Sequence, residues 1–220
     1  MKHAALLAAA ALVAVPAIAK KKDAPPPAPS AKATVNSKDP YPSTYKRYPG
    51  APTLVRNVTI YDGEGGRIEK GAILFQDGKI SALAGSLADM ALPAGTQTID
   101  GTGKWITPGI IDAHSHLGDY PAPGVEAHQD GNEMTGAVRP EVWAEHSVWP
   151  QDPGFSRALA NGGVTALQIL PGSANLFGGR SVTLKNVYAT TVQGMKFPGA
   201  PYGLKMACGE NPKRVYGAKG

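Results

Sequence analysis

Hydrophobic positions change their pattern three times along the chain. From Ala4 to Val15 they form an unbroken Ala/Leu/Val run behind Lys2, closing on Ala17-Ile18-Ala19. A cationic start, an apolar core and a small-x-small end predict a secretory signal peptide over 1–19. The run is shorter than the ~20 residues a spanning helix needs, and no cysteine follows it for lipidation, so no stable membrane anchor is expected. From 20 to 52 apolar residues thin out and prolines dominate, as in Pro26-Pro27 and Pro40-Tyr41-Pro42. That composition predicts an extended tether or an arm packed on the surface, with Tyr41, Tyr45 and Tyr48 read as solvated rather than stacked.

From Thr53 the pattern becomes short and β-branched. Leu54–Ile60 stops at Tyr61-Asp62-Gly63, and Ala72–Phe75 meets Lys79–Leu83 across Asp77-Gly78, a strong hairpin signal. Thr96–Asp100 and Lys104–Ile106 follow around Gly101-Thr102-Gly103. Turn-punctuated strands at about this spacing predict a small β-sandwich over 53–107. At Pro108 alternation gives way to the continuous run Ile110-Ile111-Asp112-Ala113, as in a strand buried on both faces. Asp152-Pro153 predicts a capped helix with Phe155, Ala158 and Leu159 inward, stopped by Asn161-Gly162-Gly163. Val164–Leu170 is the next buried strand, and strand–helix–strand implies parallel pairing. Tyr202–Ala207 reads as a further strand.

Composition changes this picture in two places. Apolar residues make up 42% of the 220 and charged residues 18%, enough for a packed core. The net charge of +5 suggests a polyanion partner, but eight of the 22 Lys/Arg and only two of the 17 Asp/Glu lie in residues 1–50. The remaining 170 residues are close to neutral, so no nucleic-acid partner is expected. The single cysteine, Cys208, excludes an intramolecular disulfide framework and a multi-cysteine zinc site, and reads as a buried thiol.

The chemistry concentrates at Gly109-Ile110-Ile111-Asp112-Ala113-His114-Ser115-His116-Leu117-Gly118. Two residues apart at a strand end, His114 and His116 project to one side. Neutral imidazoles are good ligands for zinc and similar ions. Two are too few for a complete site.

Together with Val55-Arg56-Asn57-Val58 and Asp77-Gly78-Lys79-Ile80, this segment resembles the amidohydrolase superfamily, more narrowly its imidazolonepropionase-like and prolidase-like members. The resemblance implies an α/β protein. A urease-like composite β domain over 53–107 would be followed by an incomplete (β/α)8 TIM-type barrel over 108–220. It also implies hydrolysis of C–N bonds in small amides, cyclic amides or dipeptides, with one or two divalent ions, usually zinc, activating a water. His114 and His116 match the first metal ligands. Asp112 either orients a ligand imidazole or caps a turn. A carboxylated lysine or a glutamate from a middle strand completes such sites, for which Glu210 is preferred over Lys205; the alternative for Glu210 is a salt-bridged loop residue. Arg180 is the candidate for a substrate carboxylate. His128, within Glu126-x-His128-x-Asp130-x-x-Glu133, is a substrate contact or a solvated loop histidine. Trp143, His146 and Trp149 pack or cover the site.

The chain departs from that family in length. A (β/α)8 barrel needs ~250 residues, and 115 follow Trp105. The five histidines are His3, His114, His116, His128 and His146. Later metal histidines and the terminal catalytic aspartate therefore have no counterpart, and no catalytic residue is assigned. The expectation is an exported, periplasmic or secreted protein represented by its N-terminal part, completed by a missing C-terminal half or a homo-oligomer. The alternative is a truncated, non-catalytic chain.

Overall fold

The computed structural model describes residues 39–217. The signal peptide expected over 1–19 and the linker up to residue 38 lie outside the described residues. Among the described residues no helix is long and apolar enough to cross a membrane.

Strands β1 (Thr53–Tyr61), β2 (Arg67–Gln76), β3 (Lys79–Ala84) and β4 (Gln97–Asp100) form one sheet in the order β3-β2-β1-β4, with β5 (Trp105–Ile106) also on β1. The Asp77-Gly78 hairpin forms as expected, with both residues at positive φ (52° and 71°). That is the backbone a two-residue hairpin of matching twist requires. β4 pairs in parallel with Thr53–Arg56 and β5 in parallel with Thr59–Ile60. Between the two contacts Asn57 takes φ 58°, and Lys70 on β2 takes φ 49° nearby, so the paired strands bend together. The Asn57 amide donates to Asp100 Oδ1 (3.1 Å), tying the bend to the end of β4. Adjacent Ile73 and Leu74 enter different apolar clusters, as strand alternation demands. Among the described residues the strands expected to build a sandwich form one bent, mixed, five-stranded sheet, with a single long β1 serving both halves.

β6 (Ile110–Ser115), α1 (Pro153–Gly162) and β7 (Val164–Ile169) follow. β6 and β7 pair in parallel, Ile110 against Val164 and Asp112 against Leu167. Asp152 caps α1 by accepting from Gly154 N (2.8 Å), and Gly163 ends it in the left-handed region. The parallel succession then stops. β9 (Val182–Lys185) lies antiparallel on β7, in the order β6-β7-β9, while β8 (Phe177–Arg180) pairs antiparallel with β10 (Leu204–Met206) in a separate ribbon. The strand expected at Tyr202–Ala207 is thus β10, but not a member of the parallel sheet. The reason is the connection: the chain returns from β7 through Leu170–Ser181 without a helix, and a parallel neighbour needs a crossover. The fold is α/β with mixed sheets; the described residues do not make a barrel.

The larger core packs Leu167 and Ile169 of β7 against Leu184 of β9, Phe155 of α1 and Met195 of α2 (Val192–Met195). β6 departs from expectation. Ile110 and Ile111 are 54% and 71% exposed, because β6 is an edge strand with an uncovered face.

Residues 39–52 carry no regular element yet are not a free linker. Lys196 is buried and bonds Asp39 Oδ1 (3.0 Å), the Tyr41 carbonyl (2.5 Å) and Glu145 Oε2 (2.9 Å). Tyr202 OH joins the same cluster, donating to Asp39 Oδ1 (2.6 Å). Tyr41 sets its ring edge-on to Trp143 and His146, and Tyr48 OH donates to the Tyr188 carbonyl (2.5 Å). Tyr41 and Tyr48 nevertheless stay 38% and 59% exposed, so these contacts leave both rings largely in solvent.

Candidate metal centre

The parallel register builds the site. β6 delivers His114 to its C-terminal end, and the chain carries His116 just beyond, opposite the end of β7. The two rings stand 5.3 Å apart between centroids, nearly perpendicular. His116 Nδ1 lies 2.8 Å from the Leu170 carbonyl oxygen. A carbonyl only accepts, so Nδ1 carries the proton and Nε2 keeps its lone pair. Burial pulls the His116 pKa below its ordinary value; Lys205 and His114 add to the shift, and the Leu170 bond opposes it. At neutral pH the imidazole is uncharged, the form that binds a cation.

Asp112 does not reach an imidazole. Its Oδ1 accepts from the His114 backbone N–H (3.1 Å), so it fixes the turn of chain carrying His114. The segment after His116 is held from the helix: Asp152 Oδ2 accepts from Gly118 N (3.0 Å) and Oδ1 from Ala122 N (3.1 Å). Gly118 sits at φ 85°, where a Cβ would stand 2.7 Å from Val148 Cγ1.

Lys205 comes to the pair from β10. Its Nζ lies 3.2 Å from His114 Nε2, its side chain is buried, and burial lowers its pKa. Glu210, preferred from sequence, is exposed at the first position of α3 (Glu210–Tyr216), and the structure does not bring it to the pair. The chain leaves β10 at Met206 and turns through Gly209 before Glu210. Among the described residues no group of three or more His, Cys, Asp or Glu is placed to hold a metal ion.

The other candidates lie apart. Arg180 stacks its guanidinium 4.2 Å from the centre of the Trp143 ring. His128 packs beside Trp149 at 5.5 Å between ring centres. Cys208, expected to be buried, is exposed, because it follows the end of β10 in the loop leading to α3. Sequence reasoning missed the Leu170 carbonyl, for which the parallel register of the two apolar strands was the available signal.

No family model matches the chain. An amidohydrolase from Thermotoga maritima superposes with a TM-score of 0.67 at 39% identity, over 76% of this chain and 42% of its own. The chain is related to the amidohydrolases. Amidohydrolase tasK of Hapsidospora irregularis is 32% identical over 193 residues, 77% of this chain and 20% of that protein. The imidazolonepropionase of Mesorhizobium japonicum is 42% identical over 91 residues, 40% of this chain and 21% of that protein. The chain thus spans about a fifth of the length of the curated amidohydrolase relatives it matches.

Proposed function

We propose that His114 and His116 hold a divalent ion, zinc first, in a hydrolase that cleaves C–N bonds of small amides or dipeptides. The observation that carries this reading is the His116–Leu170 bond at a strand end. It fixes one tautomer and leaves Nε2 for a metal, as ligand histidines require. The donor set fits: two imidazoles side by side, with a buried lysine against one of them. A bound ion supplies an activated water and a polarised scissile carbonyl. The chain's own residues do the rest. Asp112 and Asp152 fix the backbone on either side of the pair, and Leu170 orients His116. Lys205 is the third group of our reading: desolvation favours its neutral amine, which can add to carbon dioxide to give an anionic carbamate and a proton.

Two imidazoles and a lysine leave much of the shell to water, and no described residue stands ready to carry the proton. This stretch alone therefore binds metal weakly and turns over little. The uncovered Ile110 and Ile111 favour completion by further chain of the kind the longer relatives possess, or by a second copy. Export of the protein, with removal of 1–19, is part of the same reading, and N-terminal sequencing of mature material tests it.

Zinc titration by calorimetry, with an amidase and dipeptidase assay, tests the centre. We expect binding that disappears in His114→Ala and His116→Ala. Unchanged zinc binding in the double variant would place the metal elsewhere and end this reading.

A further inference from the structure

We propose that residues 39–48 act as a positioning strap for the histidine pair: docked on Lys196, the arm fixes the turn of chain at 144–147, and that turn holds the backbone at His116. The proposal rests on the metal reading above for what the pair binds. The coupling itself is carried by contacts within the fold.

Lys196 is the clasp. Its ammonium bonds Asp39 Oδ1 of the arm (3.0 Å) and Glu145 Oε2 (2.9 Å), and Glu145 belongs to the single 3-10 turn Ala144–His146. Tyr202 OH reaches the same two carboxylates, Asp39 Oδ1 at 2.6 Å and Glu145 Oε1 at 3.0 Å. Glu145 and Lys196 are each 3% exposed, so water cannot replace the groups that meet them. The Tyr41 ring adds edge-on contacts to Trp143 and His146, the residues flanking Ala144 and Glu145. The arm's own backbone is held beside the clasp. Ser43 Oγ donates to the Lys196 carbonyl (2.7 Å), and Thr44 N to the carbonyl of Gln193 in α2 (2.9 Å).

Two bonds run from the far end of the turn to the chain after His116. Ser147 Oγ donates to Asp119 Oδ1 (3.0 Å), and Trp149 N to the Gly118 carbonyl (3.0 Å). Asp119 is fully buried, and its N–H donates to the His116 carbonyl (3.1 Å), as does that of Tyr120 (3.3 Å). Arm, lysine, turn and His116 are thus joined by consecutive contacts. Coupling along such a chain needs a link with two arrangements. The 3-10 turn supplies it, because a single turn of this kind has poor internal hydrogen-bond geometry and depends on its surroundings. With the arm docked, Glu145 is fixed by the completed clasp. With the arm away, the turn loses the Asp39 and Tyr41 contacts, and Ser147 and Trp149 loosen with it. Asp152 holds Gly118 separately from α1, so release of the strap weakens the hold on His116 without abolishing it.

The test uses the full 220-residue chain as wild type, Asp39→Ala/Tyr41→Ala and Asp39→Glu. These substitutions lie in the arm and leave the Lys196–Glu145 pair in place, so the variants are expected to fold, which a melting curve checks. Hydrogen exchange is followed by mass spectrometry without metal. In the double variant, amides at 116–120 and 147–149 should exchange at least fivefold faster, while those of β1 and β2 keep their wild-type rates. Asp39→Glu, which keeps the carboxylate, should restore most of the protection. Unchanged exchange at 116–120 would overturn the proposal. So would an equal rise in β1 and β2, which would make the arm a general stabiliser. Zinc titration separates this inference from the metal reading. The wild type should bind zinc about fivefold more tightly than the double variant, the lower end of coupling between sites; equal affinity would overturn the strap. Absence of zinc binding at His114 and His116 ends the metal reading, and the exchange result still decides the strap.

Discussion

Lys205 Nζ approaches His114 Nε2 to 3.2 Å across 91 residues of chain. An ammonium there opposes a metal ion at the same nitrogen, whereas a carbamate would attract one. Zinc binding by this chain should therefore depend on dissolved carbon dioxide. Adding bicarbonate should tighten zinc at least tenfold in the wild type and leave Lys205→Ala unaffected. Labelled bicarbonate should give a carbamate carbon signal that the same variant loses. Identical bicarbonate responses in the two proteins would remove Lys205 from the centre.

Asp119 predicts a pH dependence of stability. It is fully buried, Ser147 Oγ donates to its Oδ1 (3.0 Å), and Oδ2 has no partner among the described residues. Burial pushes its carboxyl up to about 8, with nearby Asp130 adding to the shift and Ser147 opposing it. The folded state then holds a proton that the unfolded state releases near pH 4, so stability falls as pH rises from about 4 to about 8. Urea unfolding across that range should show the decline. Asp119→Asn, uncharged throughout, should flatten this part of the profile, and an unchanged slope in that variant would assign the effect to other groups.

The Lys196 cluster predicts a large stability loss. Lys196 and Glu145 are both buried, and their ion pair (2.9 Å) is joined by Asp39 and Tyr202. Lys196→Met strands the Glu145 carboxylate in the interior, which costs about 3–5 kcal/mol. The expected readout is a lower urea midpoint together with release of the 39–48 arm to protease. Cleavage at the wild-type rate would show that the arm is held by its tyrosines instead.

How much of this was legible depended on whether a signal was local. The Asp77-Gly78 turn, the Asp152 cap, the Gly163 stop and the two apolar strands flanking α1 are written in neighbouring residues, and each formed where expected. The His114–His116 pair was visible because a two-residue spacing on a strand fixes geometry without knowledge of the fold. What failed was non-local. The bend at Asn57 lets one long strand serve both halves of the sheet, and the return from Leu170 to Ser181 makes β9 antiparallel; neither follows from propensity. Glu210 looked better placed than Lys205 because it follows an apolar run. Pairing of β10 with β8 sets Lys205 opposite Gly179, and Glu210, past the end of β10, is exposed. The arm's contacts were not legible because their partners, Trp143, His146 and Tyr188, are about a hundred residues or more away.

Asp152 joins fold stability to the His114–His116 segment in one side chain. Its carboxylate, only 2% exposed, accepts from Gly154 N at the start of α1 and from Gly118 N and Ala122 N in the segment after His116. Loss of a helix cap alone costs about 1 kcal/mol. Asp152→Ala also leaves two further backbone donors without their acceptor, at about 1–3 kcal/mol each if no water replaces it. A total of at least about 3 kcal/mol is expected, read as a lower urea midpoint at unchanged slope. Because Gly118 is two residues from His116, the loosened segment should also weaken zinc about tenfold, the lower end for losing an orienting contact. Asp152→Asn keeps one acceptor oxygen and should fall between the two proteins in both measurements. A stable Asp152→Ala with wild-type zinc affinity would mean that Leu170 and Asp112 position the histidines without help from the helix.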